Sequence, residues 1–220
     1  MQISVNDLVC FDDYTSTHPI RVDLVYAKAE HKDNMFKEAI YKADAKMWCH
    51  KDLAEITLKA AELIYKETGY LCDMKDALRP FEAQERMQKT AICQVNPQWF
   101  EEPDRLFSPP GCGGHPRGMA VDLILITENG DEVEMGTPFD FLTEDKTNNP
   151  AARDYNNFPD QVLKNRKILE NGMLDAAKHF NRDLLPLPQE WWDFRFPYDF
   201  TEKIDPIYNK NLPDSMKMLD

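Results

Sequence analysis

The chain has 220 residues, 42% hydrophobic and 30% charged, which suits one sizeable core and excludes a disordered or fibrous chain. Its 26 basic and 39 acidic side chains give a formal net charge of -13, which excludes a nucleic-acid partner, since binding a phosphate backbone needs a basic patch. Five cysteines, odd in number and without a Cys-x-x-Cys pair, exclude a disulfide framework; no apolar run approaches the roughly twenty residues that span a bilayer, so a cytoplasmic chain without membrane contact is expected.

In chain order, residues 22–27 alternate enough to form an early strand, and residues 52–68 form the best helix, with Leu53, Ile56, Ala60, Leu63 and Ile64 on one face and Gly69 just past its end. Residues 70–77 return as a strand. Pro80 suits the first turn of a helix over 81–91, which leaves Arg79 at a strand-to-helix junction. Residues 96–114, with four prolines and three terminal glycines, read as a long irregular loop, and long ordered loops tend to be functional. Residues 119–127 alternate, putting Ala120, Asp122, Ile124 and Ile126 on one face, and Asn129-Gly130 predicts a hairpin turn into 132–136. A second amphipathic helix follows over 160–180, then a short strand over 190–196 and an irregular tail from 198.

The chemistry concentrates in two segments. His115, seven residues ahead of Asp122, supplies one nitrogen and one oxygen donor of the kind a catalytic Zn²⁺ accepts. An aspartate on a face of aliphatics needs a compensating partner, and a metal or an arginine provides one. Glu190 offers a carboxylate to act as general base on a metal-activated water, and Asp193 a further donor. Three residues apart on an ideal strand, Glu190 and Asp193 face opposite sides, so their joint service requires a bulge or turn.

These motifs give the chain a resemblance to the D-alanyl-D-alanine dipeptidases of the zinc D,D-peptidase family. The match runs through Val25-Tyr26-Ala27, Asn34-Met35-Phe36, Tyr41, Asp76-Ala77-Leu78-Arg79-Pro80, and His115-x-Arg117-Gly118-x-Ala120-x-Asp122. It continues through Met135-Gly136-Thr137-x-Phe139-Asp140, Asn165-Arg166 and Glu190-Trp191-Trp192. The resemblance implies a single α+β domain over 1–220, an antiparallel sheet flanked by helices. It implies that His115 and Asp122 ligate zinc, that Glu190 is the general acid/base, and that Arg79 stabilises the oxyanion. Asp140 is expected to hold the ammonium group of a small D-amino-acid dipeptide, and Tyr26 to line the pocket.

The chain departs from the family where the third ligand stands. Asp193 replaces a histidine, and a carboxylate oxygen binds zinc at about 2.0–2.2 Å, so a His115-Asp122-Asp193 set is chemically workable. Two carboxylates in place of one predict a less acidic metal, a more alkaline optimum and a shift toward oxygen-loving ions such as Mn²⁺. Ala77-Leu78 and Gly113-Gly114 stand where the family carries Gly-Tyr and serines, which predicts a substrate related to D-Ala-D-Ala rather than identical to it. Two rival readings accompany the dipeptidase: a non-catalytic binding protein with a weakened metal site, and a D,D-carboxypeptidase acting on longer murein peptides.

Overall fold

Short strands and two long helices follow one another along the chain. The computed structural model describes residues 2–220. It opens with β1 (Leu8–Cys10), β2 (Ile20–Val22) and β3 (Trp48–His50), the last running directly into α1 (Lys51–Thr68). Then come β4 (Leu71–Asp76), α2 (Phe81–Gln88), α3 (Ala91–Val95), β5 (Ala120–Ile126), α4 (Asp160–His179), β6 (Leu185–Pro186), β7 (Asp193–Arg195) and α5 (Tyr198–Thr201). No described helix is long and apolar enough to cross a membrane.

The architecture is a single α+β domain. Five strands form a sheet in the order β2-β4-β5-β7-β6, antiparallel except where β2 runs parallel to β4, so the sheet is mixed rather than wholly antiparallel; β1 and β3 make a separate antiparallel pair. Every residue of the central strand β5 is buried, which places Asp122 inside the molecule with the aliphatics around it.

Helix α1 begins where the His50 side chain accepts the Asp52 amide and ends at Gly69, as the spacing predicts. Its buried stripe of Leu53, Ile56, Ala60 and Ile64 packs on β4 and against α4. A Cβ at Gly172 would lie 2.4 Å from Ile64 Cγ1, so only glycine allows the two helices to approach this closely.

Three expected elements take a different form. The early strand is β2, and residues 25–27 instead make a 3-10 turn that buries Val25 and Tyr26. The helix over 81–91 divides into α2 and α3, because the Thr90 hydroxyl donates to the Met87 carbonyl and closes α2 there. The Asn129-Gly130 turn forms, but the returning limb pairs through only one isolated bridge, Ile126 with Glu132. Beyond it, the Glu134 and Met135 carbonyls accept Asn165 Nδ2 and Arg166 Nε from α4, which draws the chain off the sheet. The C-terminal segment folds back over the domain: Ile207 N–H donates to the Pro116 carbonyl, and Asn209 bonds Met218 and Leu219.

Candidate metal centre and catalytic cleft

Strand register lines up three aspartates: Asp76 on β4 lies opposite Asp122 on β5, and Asp122 opposite Asp193 on β7. Like charges facing across strands repel, and all three residues are buried, so each needs a partner. Asp76 accepts the Tyr41 hydroxyl at 2.8 Å and Arg79 Nε at 2.8 Å. Asp193 is gripped by Arg195, with Nε on Oδ1 at 2.7 Å and Nη2 on Oδ2.

Asp122, between them, is the least satisfied. Its Oδ2 lies 3.5 Å from Arg79 Nη2 and 3.4 Å from His115 Nε2, while its Oδ1 is buried without a hydrogen-bond partner. A buried acceptor left unmade costs about 1–3 kcal/mol, and more when charged. A cation at that oxygen removes the penalty.

His115 sits in a 3-10 turn, His115–Arg117, immediately before β5. The turn lies flat on the strand because position 114 is glycine: a Cβ there would be 2.7 Å from the Met119 carbonyl oxygen. His115 Nδ1 lies 2.8 Å from the Ala77 carbonyl, and that bond assigns the proton to Nδ1 and leaves Nε2 as the donor atom. Nε2 faces Oδ2 of Asp122 and, at 3.2 Å, Oδ2 of Asp193. Burial disfavours the imidazolium, but Asp122, helped by Asp193, outweighs it and pushes the His115 pKa up to about 9. The pair of carboxylates thus attracts positive charge to Nε2, whether a proton or a metal.

The same cluster includes Glu190. Residues 188–192 turn before β7 begins at Asp193, with the Glu190 amide donating to the Leu187 carbonyl, and this turn is the device that lets Glu190 and Asp193 face one site. Carboxylate oxygens of Asp122, Glu190 and Asp193 lie within 4.8 Å of one another, as do ligand atoms of Asp76, His115 and Asp122. Burial, then the neighbouring Asp193 and Asp122, raise the Glu190 carboxyl well above the usual carboxylate range. Asp193 moves the other way: burial opposes its ionisation, but Arg195 and His115 hold it well below that range.

These groups open on a cavity of about 340 Å³ whose walls include Arg79, His115, Asp122, Asp140, Glu190, Asp193 and Arg195. Arg79 is buried, its charge opposed by desolvation and restored chiefly by Asp76. Asp140 stands at the edge of the site with φ 59°, and burial raises its carboxyl to about 7 against the opposing pull of Arg79 and the Tyr26 hydroxyl. Tyr26 lies one layer behind the wall: its hydroxyl donates to Asp140 Oδ2 at 3.0 Å and its ring carries the Arg79 guanidinium at 5.4 Å.

The expected residues therefore converge, and others join them. Asp76 and Tyr41 fix Arg79, and Arg153 ties down the Glu190 turn through the Leu187 and Asp193 carbonyls. Arg166 holds the Asp140 loop by donating to the carbonyls of Met135, Pro150 and Ala152. Arg195 was legible in principle, since Asp193-x-Arg195 on a strand puts an acid and a base on one face.

The family model described as D-ala-D-ala dipeptidase, Peptidase_M15, matches residues 7–217. The chain belongs to the peptidase M15 family. As an M15 peptidase it is a hydrolase, of a metal-dependent family whose substrates are small peptides. It is 28% identical over 179 residues to the D-alanyl-D-alanine dipeptidase of Escherichia coli (strain K12), a match covering 81% of this chain and 79% of that relative.

Proposed function

We propose that this M15 peptidase is a zinc-dependent dipeptidase that hydrolyses D-Ala-D-Ala or a related D-amino-acid dipeptide, with His115, Asp122 and Asp193 holding the metal. The observation that carries the reading is the unpartnered, buried Oδ1 of Asp122, beside an imidazole whose Nε2 is turned toward two carboxylates. One nitrogen and several carboxylate oxygens are a donor set that Zn²⁺ accepts. Bound there, the ion would supply Lewis acidity and an activated water.

The chain's own groups account for the rest of the hydrolysis. Glu190, whose proton affinity is raised by burial and by the neighbouring Asp193 and Asp122, acts as the carboxylate that takes a proton from the attacking water and returns it to the amide nitrogen as the C–N bond breaks. Arg79, permanently charged and fixed by Asp76, offsets the negative charge that develops on the scissile carbonyl oxygen. Asp140, with Tyr26 behind it, receives the substrate ammonium group. A site that ends in an ammonium-binding carboxylate favours a free dipeptide over a longer murein peptide.

The test is D-alanine release from D-Ala-D-Ala and from a panel of D,D- and L,L-dipeptides, on chelator-treated protein before and after Zn²⁺ is restored. Zinc-restored hydrolysis confined to D,D-dipeptides is the expected outcome. Equal rates on L,L-dipeptides would remove the substrate assignment, and no hydrolysis with bound zinc would leave the binding-protein reading. N-acetylated D-Ala-D-Ala separates the carboxypeptidase, which tolerates the blocked amine, from the dipeptidase, which does not.

A further inference from the structure

A carboxylate replacing a neutral ligand has two handicaps in a buried site: an additional negative charge, and two equivalent oxygens free to rotate. Position 193 answers both. Arg195 donates to each oxygen of Asp193, Nε to Oδ1 and Nη2 to Oδ2. Asp193 is 1% exposed and Arg195 5% exposed, so water screens this pair little. Both residues lie on one face of β7, and Arg195 is registered against Ala120 of β5. The third guanidinium nitrogen, Nη1, sits 3.3 Å from where a Gly113 Cβ would be, so the glycine leaves it space.

The consequences are geometric and electrostatic. With Oδ1 turned to Arg195 Nε, only Oδ2 of Asp193 also faces His115 Nε2, at 3.2 Å. The carboxylate is thereby fixed to offer one oxygen, as a histidine offers one nitrogen. Its charge is balanced by the guanidinium, so with His115 neutral, as a metal donor must be, His115, Asp122, Asp193 and Arg195 together carry one net negative charge rather than two. The extra carboxylate that predicts a weaker Lewis acid at this site is thus neutralised within its own strand.

We infer that Arg195 is a positioning residue for the metal, clamping Asp193 so that the pair acts as a single-atom, charge-neutral third donor. This rests on the reading that His115, Asp122 and Asp193 hold the metal. The inference concerns a residue to which that reading gives no role.

The experiment is Zn²⁺ affinity by chelator competition on wild type, R195Q, D193H and the D193H/R195Q double variant, with melting curves of the metal-free proteins as the folding control. R195Q is expected to lose about 10- to 100-fold in affinity, the usual effect of removing a group that orients a ligand. D193H should also lose affinity, because it leaves the Arg195 cation buried, unpaired and close to the metal. The double variant should regain most of what either single variant loses, since a neutral imidazole needs no counter-charge.

That reversal of sign is what a merely structural arginine would not produce. R195K supplies the second variant: it keeps the charge but cannot bridge both oxygens, and an affinity between those of wild type and R195Q is expected. Wild-type affinity in R195Q and R195K, or an R195Q effect of the same sign in the D193H background, overturns the inference. A wild type that binds no Zn²⁺, or whose binding survives Asp122→Asn, overturns the underlying site assignment instead.

Discussion

Among the described residues, two clusters pair one histidine with two aspartates in metal-binding proximity, His115 with Asp76 and Asp122, and His31 with Asp23 and Asp33, yet their electrostatics are opposite. In the second, the Lys75 ammonium already occupies the centre, 2.7 Å from Asp23, 3.2 Å from Asp33 and 3.0 Å from Asp73. Arg21 closes on Asp73 through Nε at 2.8 Å and Nη2 at 2.5 Å, and His31 Nε2 lies 3.1 Å from Asp23. Lys75 is fully buried but completely compensated. In the first cluster, Asp122 keeps an oxygen with no partner, at the wall of a cavity. Similar residue types thus make a structural pin where the cation is covalently supplied and a candidate binding site where it is not.

The largest expected effects separate the two. Asp122→Asn should reduce D-Ala-D-Ala hydrolysis by about 10³-fold, the several kcal/mol expected when metal-assisted charge stabilisation is lost. The same change should leave the melting temperature of metal-free protein equal or higher, because burial already raises the Asp122 carboxyl and disfavours its charge. Lys75→Met should do the converse, costing about 3–5 kcal/mol of stability by stranding buried carboxylates while zinc affinity stays at the wild-type value. Denaturant melts and chelator competition on both variants check the pair; a Lys75→Met protein of unchanged stability would falsify the contrast.

Arg79 tests a smaller difference between charge and geometry. Lysine there keeps a cation but cannot reproduce the two-nitrogen approach to Asp76 together with the reach to Asp122. Arg79→Lys should lower kcat about 10²-fold, the lower end of the range for a lost oxyanion donor, with KM little changed. A change in KM alone would assign Arg79 to substrate binding rather than to the developing charge.

The long elements were readable because their pattern is local. Residues around Leu53 and Leu169 repeat at helical spacing, and β5 is an apolar run broken only by Asp122. The failures occur where a distant side chain decides the backbone. Asp23 follows β2 directly and turns to meet Lys75, so the alternation of 22–27 does not continue as a strand. Residues 134–136 leave the sheet because α4 holds their carbonyls. In the site, single residues were legible from motif and spacing, whereas the row of Asp76, Asp122 and Asp193 was not, because strand register is a property of three separated segments. That row is also what makes Arg195 necessary.

The smallest expected effect concerns the far end of the cleft, where Asp140 differs from both clusters: Arg79 acts on it without a direct ion pair, and its Oδ2 accepts the Tyr26 hydroxyl. Burial raises its carboxyl to about 7, above the ordinary value for an aspartate, so it is largely neutral below that pH and ionised above it. An ammonium group binds the ionised form. KM for D-Ala-D-Ala should therefore fall as pH rises from 6 to 8, by about tenfold at most if one carboxylate accounts for the change. Asp140→Asn should raise KM and flatten that pH dependence, leaving a substrate whose amine is still charged but no longer has a carboxylate to meet. If the KM profile of Asp140→Asn keeps the wild-type slope, the ammonium is held elsewhere, and the preference for a free dipeptide loses its structural basis.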